Sequence, residues 1–429
     1  MQTKNAIRAA YIAYSIYLLL LILLTTIHIK DMVFSFLAMW LCYYIFVLGI
    51  KSKYCHSIDN SCNNDLKLTD LKSHSVIYFI FTSLLFAIIT AKFYTGQSPR
   101  ELISNLKNNQ SVYYIYQANL KARDIGRSIA SRINRLPYIL MLFVVKFNMI
   151  AELVKYSLIN REHNEIIKVF IALISYLYIC LARGTSYEIF ELLILLVFIY
   201  YQRIDKNRVA KKNLGFLWIA FLGIGAFILF TNRILQRGVM PVFEIDGFIF
   251  NNDNFMNNVF PTFPISLYFT YNYFGFGMIY FNKMITQMIS EHILYTCLVP
   301  KGSFLITGQN LKAYMEPIIS INARWVPDIA NIISNYGIVI TLLIIFYLGK
   351  LSNKYSSFYN NRSIRSYYIM NYFIFLQMIS FPVGNFVVTS SSNLLILLFI
   401  ILKEKIKVMP VRDKRYKIDS LNVEANMNA

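Results

Sequence analysis

Charge is scarce in this chain, and acidic charge scarcer still. Of 429 residues only 15% are charged, with 22 Asp and Glu against 42 Lys and Arg, while 57% are hydrophobic. A mean hydropathy of +0.48 excludes an ordinary soluble globular domain. Cysteine is also sparse, with five residues, an odd number that supports no disulfide framework. Cys42 and Cys180 fall in apolar runs, Cys55 and Cys62 in a polar loop, and Cys297 stands alone. The Cys55, His56, Cys62, His74 group fits no zinc-ligand spacing and reads as a solvated loop. No small-residue cleavage site follows the first apolar run, which therefore reads as a retained anchor.

Long apolar runs are present in number. Membrane spans are expected at 9–28, 32–50, 75–91, 137–159, 166–181, 187–201, 214–231, 329–348, 367–381 and 386–402, each approaching the thickness of a hydrocarbon core. The fold class is an all-α polytopic membrane protein of ten to twelve transmembrane helices, with residues 1–429 forming one integral membrane domain. The net charge of +20 does not point to nucleic acid, because the basic residues recur in every second connection. Examples are Lys4 and Arg8 before the first span, Lys211 and Lys212 after the sixth, Lys354 after the eighth and Lys414 after the last. The positive-inside rule then places both termini in the cytoplasm, 403–429 as a cytoplasmic tail, and membrane lipid as the partner of the basic charge. The 32 Tyr and 34 Phe fit either interfacial belts or platforms for sugars, and number alone does not separate the two.

Two long polar segments fall outside. The first, 92–136, contains Ser98-Pro99-Arg100-Glu101, a capping-box pattern that starts a helix with Leu102, Ile103 and Leu106 on one side, suited to the membrane surface. Arg123 and Arg127 follow, four apart and so on one helix face; an anionic lipid surface and an anionic substrate are both open as their target. The second segment, 232–328, carries Arg233, Arg237, Glu244, Asp246, His292, Glu316 and Arg324. Its uncharged aromatic stretch 265–281 is expected to be re-entrant or surface-lying, bent at Gly275 and Gly277, since a full crossing would invert every later loop. Between the segments, Ala182-Arg183-Gly184-Thr185-Ser186 forms a tight external turn, with Glu188 and Glu191 just beyond. A charge at the hydrocarbon boundary is costly unless it snorkels, is paired or is functional. An arginine there suits phosphate oxygens through its planar fork.

The Arg183-Gly184 turn before a leucine-rich span, together with Arg324-Trp325-Val326-Pro327-Asp328, resembles bacterial O-antigen polymerases of the Wzy type. That family often has an Asp-Phe-Gly-like tripeptide in the span after its large loop; here it reads Asn335-Tyr336-Gly337. The resemblance, over about 92–348, implies an inner-membrane glycosyltransferase acting on undecaprenyl-pyrophosphate-linked oligosaccharide, with a chain-length regulator protein as a further partner. That chemistry builds charge on pyrophosphate oxygens and needs a base for the acceptor hydroxyl, so Arg183, Arg324, His292 and Glu188 are expected to be catalytic, and Arg123, Arg127, Arg233 and Arg237 substrate-binding. No Asp-x-Asp motif occurs in either external segment, so no metal or other cofactor is expected, and no nucleic acid. The two segments are expected to converge on one arginine-lined pocket. An O-antigen ligase shares this plan and uses an external His. A repeat-unit flippase is the non-enzyme alternative, and a membrane acyltransferase a further one.

Overall fold

A computed structural model of the chain describes residues 2–24, 27–52, 75–107, 112–122, 129–159, 163–203, 209–236, 244–245, 248–249, 270–291, 315, 318–319, 325–357, 364–384, 386–387 and 390–408. These are almost wholly helical: α1 Gln2–Leu24, α2 Val33–Lys51, α3 Val76–Thr95, α4 Pro99–Lys107, α5 Val112–Ala122, α6 Ile129–Val154, α7 His163–Arg183, α8 Tyr187–Arg203, α9 Val209–Gln236, α10 Phe276–Ser290, α11 Asp328–Ser357, α12 Ile364–Val383 and α13 Ser391–Val408. The one strand pairing among them is a two-residue ladder, Glu244–Ile245 against Phe248–Ile249.

Each expected span overlaps a helix, but the one at 329–348 is broken at Gly337 (φ +84°), where two helices meet across a kink, and the one at 386–402 is helical only from Ser391. Among the described residues, six helices are long and apolar enough to cross a membrane: α1, α2, α3, α6, α7 and, in α11, Tyr336–Lys354. Large apolar side chains project outward from these and other helices, with Leu23 73%, Phe170 62% and Phe221 65% exposed. Water would penalise such faces heavily, whereas hydrocarbon would not. The chain is a membrane-embedded helical protein.

Several helices overrun the expected limits, because a helical backbone satisfies its own hydrogen bonds past the hydrocarbon boundary, while α1 stops at Leu24 and α13 starts only at Ser391. α3 continues to Thr95 and α6 starts at Ile129, which shortens the segment expected at 92–136 from both ends. Pro137, expected to begin a span, lies inside α6, where it removes one backbone donor without ending the helix. α9 runs on to Gln236, into the second segment, and α13 to Val408, into the tail.

Close packing is set by small residues. A Cβ on Gly49 would come within 2.1 Å of the Phe346 carbonyl oxygen, and one on Gly349 within 2.1 Å of that of Phe46, so α2 and α11 touch backbone to backbone. At the same end of the bundle, Arg365 on α12 meets Glu152 on α6 at 2.9 Å, and Glu165 on α7 meets Lys155 at 2.9 Å and Lys168 at 3.2 Å. Thr3 donates to Asn371 at 3.2 Å and accepts from Gln202 at 3.2 Å, while Ser352 donates to the same asparagine at 3.0 Å, tying α1, α8, α11 and α12.

The capping box forms as expected. The Ser98 amide donates to Glu101 at 2.6 Å and the Glu101 amide to the Ser98 hydroxyl at 3.3 Å. The Ser98 amide, with its hydroxyl, holds the Glu101 carboxyl below the usual carboxylate range. Leu102 does not lie on the membrane surface: it is buried with Ala91, Val112 and Ala182, while Ile103 is exposed. The aromatic segment also differs in detail. Gly275 and Gly277 make no bend but lie in continuous helix, where a Cβ would meet Leu21 at 2.7 Å or Pro327 at 3.1 Å. Residues 265–269 lie outside the described residues; from Thr270 on the segment is enclosed by protein, where Ser35 donates to the Met278 carbonyl and Asn282 accepts from the Phe34 amide at 2.9 Å.

Candidate functional site

The turn after α7 begins the site. Gly184 has φ +61°, a left-handed conformation that side chains other than glycine adopt at a cost. A Cβ there would lie 2.8 Å from the backbone nitrogen of Tyr113, so the same hydrogen-only side chain lets α5 close over the turn. α5 then delivers Tyr116 to Arg183: Nη2 donates to the tyrosine hydroxyl at 3.2 Å, and the guanidinium carbon lies 5.2 Å from the ring centroid. From the other side, Glu188 on the first turn of α8 accepts from Arg183 Nη1 at 2.7 Å and from the Thr185 hydroxyl at 2.7 Å. Arg183 is therefore held in place, not snorkelling. Its Nε is buried with no hydrogen-bond partner among the described residues, and so is the Ser186 hydroxyl beside it.

One turn further along α8, Glu191 is fully buried and takes a second cation. Lys146, from the middle of α6, reaches it at 2.7 Å and lies 5.4 Å from the Tyr187 ring centroid. The remaining capacity of Glu191 is filled by the Tyr176 hydroxyl and by Asn393 Nδ2 at 2.8 Å. Asn393 also donates to the Phe386 carbonyl at 2.5 Å, joining α13 to the group. Burying a charge this deeply is tolerable only with such complete pairing.

Arg183, Tyr116, Glu188, Lys146 and Tyr176 border a cavity of about 470 Å³ at the end of the bundle where α7 stops and α8, α11 and α13 start, with Glu191 and Asn393 behind its wall. Arg135, Lys146 and Arg183 line it, against Glu188 as the one carboxylate among the described lining residues. Arg135 donates from Nε to the Tyr94 hydroxyl at 3.1 Å. Ser186, Ser390 and Ser392 supply hydroxyls, and Trp325 and Tyr187 supply ring surface. Trp325 stands edge-on to Tyr273, Phe274 and Phe386, with centroids 5.2, 5.7 and 5.3 Å away. Such a wall attracts an anion through Arg135 and the remaining terminal N–H groups of Arg183, with hydroxyls and rings suited to a polar, faced molecule such as a sugar.

Of the sequence-predicted residues, Arg183 and Glu188 meet here. Arg123, Arg127, Arg237, His292 and Arg324 lie outside the described residues, as does the side chain of Arg233, whose backbone is in the last turn of α9. Among the described residues, the first external segment reaches this cavity through α5 and Arg135, and the second through Tyr273 and Trp325. Lys146, Glu191 and Asn393 are absent from the sequence-based set. The signal for Lys146 is a lysine in mid-span, which is a functional candidate by its cost alone. Its partner, 45 residues on in sequence, becomes visible only in three dimensions. The chain matches no protein-family model, no curated protein and no solved structure.

Proposed function

We propose that the protein is a polysaccharide polymerase of the O-antigen type, a metal-independent membrane glycosyltransferase. It moves a growing glycan from undecaprenyl pyrophosphate onto an incoming lipid-linked repeat unit. The observation that carries this reading is the pinned Arg183, which lines a membrane-end cavity together with Arg135 and Lys146. Ten spans put both termini on the cytoplasmic side of the bacterial inner membrane and the cavity on the periplasmic side, by the charge of the connections. A chain-length regulator is a natural further partner.

In the reaction, a hydroxyl at the non-reducing end of the incoming unit attacks the anomeric carbon of the growing chain. The bond from that carbon to the pyrophosphate breaks, and its electron pair leaves on the phosphate oxygen. Arg183 stabilises the charge that builds there, with Arg135 adding to the field, while Lys146 is balanced by Glu191; fixed donors of this kind are often the largest catalytic contribution. Glu188 has both oxygens engaged, by Arg183 and by Thr185, so it positions the arginine. The proton of the attacking hydroxyl then falls to the His292 imidazole or to an external carboxylate.

The test is the lipopolysaccharide of a strain lacking this protein. One repeat unit on core is expected. Core carrying none would assign the protein to ligation or flipping instead.

A further inference from the structure

A second cavity, of about 400 Å³, lies between α1 and α8. Ala10, Tyr14, Phe190, Val197, Tyr201 and Val383 are among its walls. Tyrosines do not make it polar: Tyr11 donates its hydroxyl to the Met378 carbonyl at 2.7 Å, and Tyr14 donates to that of Phe274. Both hydroxyls are thus turned into the protein, leaving ring and methyl surface toward the groove. Along α8 the walls run from Phe190 to Tyr201, about 16 Å at the helical rise, or roughly half of a hydrocarbon core. Ala13 on the rim is exposed.

Phe190 lines this groove and the cationic cavity alike. It stands edge-on to Phe230 and Phe274, with centroids 5.5 and 4.9 Å away, and forms the sill between the two. A cationic chamber that meets an apolar trough at one ring is complementary to an amphiphile with an anionic head and a hydrocarbon chain.

We propose that the groove between α1 and α8 holds the part of the polyprenyl chain nearest the pyrophosphate, which fixes the depth at which the head enters the cavity. This rests on the function proposed above. A chain moving from bilayer to groove gains little from the hydrophobic effect, because lipid is as apolar as protein. The contribution is placement, and it is lost when the trough is filled.

The experiment uses the full chain in phosphatidylcholine nanodiscs, with inorganic pyrophosphate and undecaprenyl pyrophosphate as separate probes. The native protein should bind both. Val197→Trp should weaken undecaprenyl pyrophosphate binding by about tenfold to a hundredfold, the range expected from overpacking, and leave inorganic pyrophosphate binding unchanged. Ala13→Phe, on the exposed rim, should act in the same direction without entering the core. Undecaprenyl pyrophosphate binding unchanged in both variants would assign the groove to bulk lipid and overturn the inference. Equal loss of both probes in both variants would overturn it too, as the groove would merely shape the cavity. If the native protein binds inorganic pyrophosphate and not the lipid form, the groove inference fails and the cavity reading stands. If it binds neither, both fail.

Discussion

Arg183 and Glu188 close an ion pair at 2.7 Å across the turn at Gly184, joining the last residue of α7 to the first turn of α8. The pair decides what the arginine presents to the cavity. One terminal nitrogen is committed to Glu188 and the other to Tyr116, so the guanidinium plane is fixed in orientation. Orientation is the property a lysine does not reproduce. Arg183→Lys is expected to keep protein level and charge while slowing polymerisation by about tenfold to a hundredfold. The check is the length distribution of surface polysaccharide at matched expression, and long chains at native abundance would remove Arg183 from the chemistry.

The turn itself is the next point of sensitivity. Gly184→Ala forces a left-handed alanine, costing about 1–2 kcal/mol, and sets a methyl against the Tyr113 nitrogen. Thermal unfolding in detergent should shift downward, and polymer should shorten because α5 no longer seats Tyr116 on Arg183. Gly225→Ala, in the middle of α9 where a Cβ meets nothing within 4 Å, serves as the comparison that should not lower stability.

The buried pair Lys146–Glu191 makes a prediction about coupling. Removing either partner alone, by Lys146→Met or Glu191→Gln, strands a buried charge and should cost about 3–5 kcal/mol. The double variant should cost less than the sum of the singles by about 0.5–3 kcal/mol, since neither charge is then left alone. Equilibrium unfolding of the four proteins measures this, and strict additivity would mean that the two do not interact.

Sequence reading and structure part company in a consistent way. The helices α1 to α3 were legible because apolar runs declare themselves without knowledge of neighbours. The capping box at Ser98 and Glu101 and the Arg183-Gly184 turn were legible because each is local. Pairings across the bundle were not. Nothing in the apolar run around Lys146 points to Glu191, and nothing near Asn393 points to α8. Gly275 and Gly277 misled for the same reason: glycine suggests a bend locally, whereas here it admits Leu21 and Pro327 at close range.

Topology gives a further check. In a background without the native cysteines, Lys121→Cys should react with an impermeant maleimide on intact inner-membrane vesicles oriented as in the cell, and Lys354→Cys only after permeabilisation. Labelling of Lys354→Cys from outside would mean that the segment around α10 crosses the membrane, reversing every later connection.

The most direct test of the central claim is reconstitution. Purified protein in nanodiscs, supplied only with undecaprenyl-pyrophosphate-linked repeat units, should produce a ladder of lipid-linked glycans, each added unit releasing one undecaprenyl pyrophosphate. Arg183→Lys should shorten that ladder. Failure of the native protein to extend the units, with transfer seen only when a lipid A core acceptor is added, would contradict the account.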